Sequence, residues 1–205
     1  MNRAIIISGG DYSSPDIHFT NAYIIACDKG YSYAQRMNII PHVIIGDFDS
    51  LDEPETGNIP VIKLPVEKDD TDTMYAIKHA FEKGYTDITV LCALGGQLDH
   101  QIANLQSMAY VATHGGTCRI LSEKNNAFTF TGGSVSVPKT EHANLSLFSL
   151  SDVCENLSIS GSYYDVKDIT LTNSFPLGHG NHWIKDKITI TMERGILLVV
   201  ISKLE

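Results

Sequence analysis

Residues 42–50 read "HVIIGDFDS", a continuous apolar run that ends in a glycine and two aspartates. An apolar run without polar alternation is typical of a parallel β-strand that is covered on both faces. Three further runs of this kind are "AIIIS" at 4–8, "AYIIAC" at 22–27 and "DITVLCALG" at 87–95. Together they predict a parallel sheet, with the two aspartates at the carboxyl end of one of its strands.

Helical patterns separate these runs. The stretch "TDTMYAIKHAFEKG" at 71–84 begins with a good N-cap residue, Thr71, and ends at Gly84. Its apolar face is predicted to contain Met74, Ile77 and Phe81. A second helix is predicted to begin at Leu98 and to stop at Gly115, with a core face at helical spacing made of Leu98, Ile102, Leu105, Ala109 and Ala112. Alternating strands and helices predict an α/β domain over residues 1–123.

The pattern changes from residue 124 onward. Segments such as "NAFTFTG", "ANLSLFSL" and "KITITM" alternate apolar residues with Ser, Thr or charged residues. This period of two is typical of half-exposed antiparallel strands, so residues 124–205 are predicted to form an all-β domain. The tripeptide "ERG" at 193–195 is interpreted as a hairpin turn between two of these strands.

Composition excludes several classes of function. The chain has a formal charge of −9, which disfavours a nucleic-acid-binding surface because such surfaces need clustered Lys and Arg. No window approaches the roughly 20 apolar residues of a membrane span, so no membrane partner is expected. The four cysteines form no C-x-x-C pair and are interpreted as reduced thiols. These features predict a cytoplasmic protein.

The paired acids Asp47 and Asp49 suggest chemistry. In an extended segment alternate side chains share a side, so these two carboxylates are expected to point together. They repel each other unless a cation lies between them, and Mg²⁺ suits oxygen ligands and substrate phosphates. A turn in which the aspartates cap the backbone remains the alternative for this pair taken alone.

Two more loops carry acids at predicted helix starts. In "EKDDTDTM" the acids are Asp69, Asp70 and Asp72, and compensation of the helix dipole is the simpler explanation of this cluster taken alone. In "LGGQLDHQIAN", Gly95 and Gly96 follow a buried strand, so their N–H groups are available to cradle a phosphate beside Asp99. Three such loops in one domain favour a single acidic, glycine-lined cleft for metal and nucleotide.

The segments "IIGDFDS", "KDDTDTMYAI" and "LGGQLDHQIAN", in this order, resemble the motifs of the thiamine pyrophosphokinase family. The segments "ACDKG" at 26–30 and "LTNSFPLGHGNHW" at 171–183 extend the resemblance over nearly the whole chain. It implies a Rossmann-like nucleotide-binding domain over 1–123 and a β-sandwich over 124–205 that binds thiamine and forms the dimer. It also implies a homodimer whose active sites lie between subunits.

The resemblance implies a reaction and a set of site residues. The reaction moves the pyrophosphoryl group of ATP to the hydroxyl of thiamine, which gives thiamine diphosphate and AMP and requires Mg²⁺. By resemblance Asp47, Asp49 and Asp72 are catalytic residues that bind Mg²⁺, and Asp99 is a further catalytic residue of the cleft. The residues expected to bind nucleotide or thiamine are Asp28, Gly95, Gly96, Gln97, His100, Asn104 and Asn181.

Some positions leave alternatives open. The family often has Arg at the position of Gln97, so a positive charge near the phosphates is either absent from this chain or supplied by Lys68, Lys29 or Arg119. Trp183 is expected either to stack on a ligand ring or, more simply, to lie in the core or at a dimer interface. The alternative functions are a pyrophosphokinase for another hydroxymethyl heterocycle, such as a pterin, and a non-catalytic nucleotide sensor.

Overall fold

The computed structural model describes residues 2–47, 56–65, 67 and 69–204. The chain divides into two compact units, Met1–Glu123 and Lys124–Glu205. No helix in the described ranges is long and apolar enough to cross a membrane.

The first unit alternates strands with helices. Its elements are β1 Asn2–Ile7, β2 Ala22–Cys27, α1 Gly30–Arg36, β3 Val43–Gly46, β4 Val61–Lys63, α2 Asp72–Glu82, β5 Tyr85–Leu91, α3 Leu98–Thr113 and β6 Thr117–Leu121. These strands lie in the order β4-β3-β2-β1-β5-β6, and each pairing is parallel. The predicted α/β character and parallel sheet are therefore confirmed.

The buried strands of this sheet are those whose sequences are continuous apolar runs. In β1 the side chains of Ile5, Ile6 and Ile7 have no exposed surface, as expected for a strand covered on both faces. The short elements α1, β4 and β6 were not predicted. Strand β4 has only three residues and Val61 is 44% exposed, so its apolar signal is weak.

Helix α2 begins as predicted. The Thr71 hydroxyl oxygen accepts a hydrogen bond from the Met74 N–H at 3.1 Å, which satisfies one of the free donors of the first turn. The helix then runs to Glu82, and Gly84 follows it.

Helix α3 exists as predicted, but its predicted core face is wrong. Leu98 is 71% exposed and Ile102 is 48% exposed. The buried residues are instead Asn104, Ser107, Met108 and Val111. Two of these are polar, and they tolerate burial because their side chains donate hydrogen bonds to the Ala93 and Ala103 carbonyls.

The second unit contains antiparallel strands. They are β7 Asn125–Phe130, β8 Gly133–Pro138, β9 Ala143–Ser149, β10 Val153–Ser160, β11 Val166–Thr172, β12 Gly178–Asn181, β13 Lys187–Met192 and β14 Leu197–Lys203. One sheet has the order β12-β9-β14-β7 and the other has the order β11-β10-β13-β8. Side chains from both sheets share one core, so this unit is a β-sandwich.

The interpretation of residues 193–195 as a hairpin turn is wrong. Strand β13 pairs with β8 and β10, whereas β14 pairs with β7 and β9, so the segment crosses from one sheet to the other. Gly195 has φ +121, and a Cβ there would lie 2.5 Å from the Val153 carbonyl oxygen. The close approach between chain segments explains the glycine without a hairpin.

Candidate active site

A cleft of about 440 Å³ opens at the carboxyl ends of β1, β2 and β5. Its walls are the loops that follow these strands, at 8–11, 27–29 and 93–97, together with the first turn of α2. Strand β1 lies between β2 and β5, so the strand order changes direction here. Ligands of open α/β sheets bind at this kind of switch point.

Glycines bring two of the cleft loops together. The Gly10 N–H donates to the Cys92 carbonyl at 2.8 Å, and a Cβ on Gly10 would lie 2.6 Å from the Leu94 oxygen. Gly95 has φ +78, and a Cβ there would overlap the carboxylate of Asp11. Only glycine permits this close approach. The Asp11 carboxylate therefore lies directly against the loop of Gly95 and Gly96, which we call the glycine loop.

Asp11 is a cleft residue that sequence reasoning missed. The signal was "SGGD" at 8–11, in which two glycines and an acid follow a buried strand. Without knowledge of the partner loop, this segment is indistinguishable from a simple turn.

Three carboxylates of described residues line the cleft, those of Asp11, Asp28 and Asp72. Asp28 has the left-handed backbone angle φ +42, and its N–H donates to the Ile45 carbonyl at 2.9 Å. A non-glycine residue in this conformation is strained, and such strain is characteristic of functional sites. Asp72 is the first residue of α2 and faces the same cleft.

Cys27 lines the cleft but does not suit a nucleophile. Burial raises the pKa of the Cys27 thiol, and the charges of Asp72 and Asp28 raise it further. The thiol donates to the Asp72 carbonyl at 3.7 Å. Because the thiolate is the reactive form, this thiol is held in its inert state.

Two buried hydroxyls connect β1 to α2 at the cleft. The Ser8 and Thr73 hydroxyl oxygens lie 2.7 Å apart, and both residues line the cleft. This hydrogen bond holds the first turn of α2, and with it Asp72, against the end of β1.

Of the three predicted metal ligands, Asp47, Asp49 and Asp72, the structure places only Asp72 at the cleft. Asp47 follows β3 and does not line the cleft. The preceding residue, Gly46, packs closely against the cleft residue Asp28, because a Cβ on Gly46 would lie 3.1 Å from it. Asp49 lies outside the described residues. Within the described ranges no group of three or more His, Cys, Asp or Glu side chains is arranged to hold a metal. The ligand set Asp47, Asp49 and Asp72 therefore stays a prediction.

The glycine loop and the start of α3 contribute five of the predicted residues to the cleft: Gly95, Gly96, Gln97, His100 and Asn104. The Asn104 side-chain amide donates to the Ala93 carbonyl at 2.8 Å, so it holds the loop that follows β5. Asn104 is 9% exposed, which makes this hydrogen bond costly to lose.

Asp99 lies differently from the expectation. It is exposed and does not line the cleft, and its carboxylate accepts a hydrogen bond from the His100 N–H at 2.9 Å. An acid in the first turn of a helix is stabilised by the free N–H groups there, which accounts for this orientation. Its predicted catalytic role stays a prediction.

Asn181 lies in the second unit and is 5% exposed. Its side-chain oxygen accepts from the Tyr164 and His182 N–H groups, and its NH₂ donates to the Ser162 hydroxyl and the Tyr164 carbonyl. The amide is thus occupied by the protein itself and holds a loop that exposes Tyr163 and Tyr164. A direct contact between Asn181 and a ligand stays a prediction.

Trp183 lies in the core, as the simpler interpretation predicted. It is buried, and its indole N–H donates to the Val137 carbonyl at 3.2 Å. Within the described ranges, His179 and His182 belong to no group arranged to hold a metal. His179 lies on the short strand β12, and His182 directly follows this strand.

The fold and cleft together define a class: proteins with an α/β unit that carries an acidic, glycine-lined cleft, followed by a β-sandwich. Residues 16–120 match the family profile described as thiamin pyrophosphokinase, catalytic domain. Residues 133–197 match the one described as thiamin pyrophosphokinase, vitamin B1 binding domain. The chain belongs to the thiamin pyrophosphokinase family.

Individual relatives agree with this assignment. The chain is 28% identical to the thiamine pyrophosphokinase of Bacillus subtilis (strain 168), over 98% of this chain and 99% of that protein. The crystal structure of thiamine pyrophosphokinase from Bacillus subtilis superposes with a TM-score of 0.88 at 26% identity, covering 98% of this chain and 99% of that one. A thiamin pyrophosphokinase family protein from Enterococcus faecalis gives 0.86 at 27% identity, with coverage of 99% and 100%.

Proposed function

We propose that this chain transfers the pyrophosphoryl group of ATP to the hydroxyl of thiamine, giving thiamine diphosphate and AMP. Both domains of the family match the chain, and the relative from Bacillus subtilis is named for this activity. The observation that carries the proposal is the cleft. It gathers Asp28, Asp72 and the Gly95–Gly96 loop from three separate segments at one edge of the sheet.

In this proposal the first unit is a Rossmann-like domain that binds ATP at the switch point. The glycine loop has positive φ angles at Gly95 and Gly96, and a Cβ on Gly96 would meet open space. A ligand phosphate is therefore able to approach the backbone closely there. Gln97 and His100 are polar side chains on the same wall, available to orient the phosphates.

The donor set of the cleft fits Mg²⁺. Asp28 and Asp72 offer carboxylate oxygens, and Mg²⁺ commonly uses one or two carboxylates together with substrate phosphates. Asp72 would hold the ion with Asp47 and Asp49. When bound, Mg²⁺ neutralises charge on the phosphates that are transferred.

The residues of the chain supply orientation and electrostatics. Phosphoryl transfer depends mainly on positioning and on charge stabilisation, so no covalent intermediate on the protein is required. The Ser8–Thr73 hydrogen bond and the Asn104 amide fix the two sides of the cleft. Thiamine carries a positive charge, and the acidic cleft attracts it.

The second unit is proposed to contribute to thiamine binding and to dimerisation. Two exposed aromatic side chains of this unit support it, those of Tyr163 and Tyr164 on the loop that Asn181 holds. The first unit in turn exposes the apolar side chains of Leu98 and Ile102 at the start of α3. Such residues are suited to a partner subunit or to a ligand ring. We expect a homodimer in which each β-sandwich completes the cleft of the partner.

The setting of the reaction is proposed to be the cytoplasm. The four cysteines are free and buried, which suits a reducing compartment. No nucleic-acid or membrane partner is expected of a chain with a formal charge of −9.

Product analysis tests the proposed function. The protein is incubated with ATP and Mg²⁺ and either thiamine or hydroxymethylpterin, and the products are separated by chromatography. We expect AMP and thiamine diphosphate in equal amounts. Formation of ADP and a monophosphate would exclude pyrophosphoryl transfer, and turnover with the pterin alone would assign a different acceptor. ATP binding without turnover of either acceptor would indicate a nucleotide sensor.

A further inference from the structure

The cleft contains one basic residue that the site described above does not use. Among the described residues that line it, Lys29 is the only Lys or Arg, beside three aspartates. The sequence also offered two other basic residues. Arg119 lies on β6 and does not line the cleft, and Lys68 is outside the described residues.

Aromatic side chains hold Lys29 in place. Its Nζ lies 5.3 Å from the centre of the Tyr33 ring. The Tyr33 hydroxyl donates to the Gly10 carbonyl at 2.8 Å, which ties this ring to a loop of the cleft wall. The Tyr12 ring packs edge-on against Tyr33 at 5.4 Å, and the Arg36 guanidinium lies 3.7 Å above Tyr12. The lysine is therefore supported by a chain of stacked groups.

The ammonium group of Lys29 is charged at neutral pH. Its hydrogen bond to the Tyr33 hydroxyl raises the pKa of Lys29 above the ordinary value, while slight burial acts in the opposite direction. The nearby Asp11 carboxylate raises the pKa further.

A charged lysine at this position matches the chemistry of a polyphosphate. Three carboxylates at the cleft repel a triphosphate chain, so its binding requires positive charge as well as a metal ion. Gln97, on the glycine loop, is neutral and does not supply that charge. An ammonium group is a compact point charge that binds phosphate oxygens through charge-assisted hydrogen bonds.

We propose that the Lys29 ammonium binds a phosphate oxygen of the nucleotide's polyphosphate chain, and that Tyr33 is a positioning residue for Lys29. This inference rests on the proposed function and identifies the basic group that recognises its phosphate donor. In this proposal the flexible side chain of Lys29 rotates away from the Tyr33 ring to reach the phosphate. The Tyr33 hydroxyl keeps its hydrogen bond to the Gly10 carbonyl.

Binding of ATP and AMP to a set of variants tests the inference. Lys29→Met and Lys29→Gln remove the charge, Lys29→Arg keeps it, and Tyr33→Phe removes the hydroxyl. Lys139→Met is the matched control, because Lys139 lies in the second unit and pairs with Glu141. Affinities for Mg²⁺ with ATP and with AMP are measured by calorimetry, and KM and kcat are measured with thiamine.

We expect both neutral Lys29 variants to bind ATP about tenfold more weakly or worse, with a smaller change for AMP, because the lost hydrogen bond is to the phosphates. Lys29→Arg should recover most of the affinity, and Tyr33→Phe should raise KM for ATP more than it lowers kcat. Lys139→Met should match the wild type. Melting temperatures of all variants are measured, and we expect them to be unchanged for Lys29 because its side chain is exposed.

The role of Lys29 would be overturned if both neutral variants bind ATP as tightly as the wild type does. If these proteins still form thiamine diphosphate, the proposed function stays intact. An equal loss for ATP and AMP would also overturn the role of Lys29, since that indicates a general disturbance of the cleft. A wild-type protein that neither binds ATP nor forms thiamine diphosphate would remove the proposed function and this inference together.

Discussion

At the scale of single residues, Asp28 combines an unfavourable backbone with an unfavourable charge. Its φ of +42 is tolerated by Asn and Asp better than by most residues, and its carboxylate shares the cleft with those of Asp11 and Asp72. In general, a left-handed backbone angle at a non-glycine residue and neighbouring like charges each cost stability. They are explained if the carboxylate is needed by the ligand.

Asp28→Asn is expected to separate activity from stability. Asparagine fits the same backbone angle and removes one of the like charges, so the melting temperature without metal should stay level or rise. Turnover should fall on the order of a hundredfold, as when a main electrostatic group of a transfer site is lost. Melting curves and kinetic assays of the two proteins provide the measurement.

Asp168→Asn is the matched control for this change. Asp168 also has a positive φ, +52, but it is exposed and lies in the second unit on β11. Its replacement should leave turnover unchanged. Normal turnover of Asp28→Asn would remove Asp28 from the reaction.

Buried thiols predict a loss of stability at alkaline pH. Burial raises the pKa of Cys118 from 9.0 to about 12 in the folded protein. The unfolded chain therefore releases this proton first, and the free energy of unfolding falls as pH rises from about 9 toward 12. Denaturant titrations between pH 7 and 10.5 should show this fall, and Cys118→Ala should make it less steep. If the free energy of unfolding falls equally steeply with pH in Cys118→Ala, the loss of stability does not come from the Cys118 thiol.

At the scale of elements, the sequence predicted those strands of the parallel sheet that are buried along most of their length. Strands β1, β2, β3 and β5 were recognised because burial on both faces requires continuous apolar runs. Strand β12, with the sequence "GHGN", has no such signal and exists because β9 offers it a partner. Residues 193–195 were misread for a related reason. Local turn chemistry does not show which sheet the following strand joins.

Helix α3 shows the limit of helical periodicity. Its sequence carries two stripes at helical spacing, and the more apolar one contains Leu98 and Ile102, which are exposed. The buried stripe was not predicted because it contains polar residues. Asn104 is buried because its side chain donates a hydrogen bond to a separate loop, and helical spacing does not show such a bond. The same limit applies to the site: sequence alone does not show that the Asp99 carboxylate accepts a hydrogen bond from the His100 N–H of its own helix.

Asn104→Ala is expected to weaken both the fold and the cleft. The change leaves the buried Ala93 carbonyl without its donor, so the free energy of unfolding should fall by about 1–3 kcal/mol. The loop of Gly95 and Gly96 should lose its fixed position, and KM for ATP should rise. Gln106→Ala serves as the control on the same helix, because Gln106 is exposed and its truncation should cost far less stability. Equal costs for both changes would contradict the observed face of α3.

At the scale of the whole molecule, mixed dimers test whether active sites are shared. A subunit with Asp72→Asn lacks a cleft carboxylate, and a subunit with Asn181→Ala lacks the amide that holds the loop of Tyr163 and Tyr164. Each is expected to be inactive as a homodimer. In a mixed dimer one of the two sites receives an intact cleft and an intact loop, so part of the activity should return. A mixed protein that is dimeric and stays inactive would place the whole site in one chain.

The central claim is that the acidic cleft of the first unit carries out pyrophosphoryl transfer from ATP to thiamine. Phosphorus NMR of a reaction with ATP, thiamine and Mg²⁺ tests it most directly. Wild type and Asp72→Asn are compared at a temperature at which melting curves show that both proteins are folded. We expect the wild type to convert ATP into AMP and thiamine diphosphate in a one-to-one ratio, and the variant to be slower by about a hundredfold or more. Appearance of ADP with thiamine monophosphate, or undiminished turnover by Asp72→Asn, would contradict it.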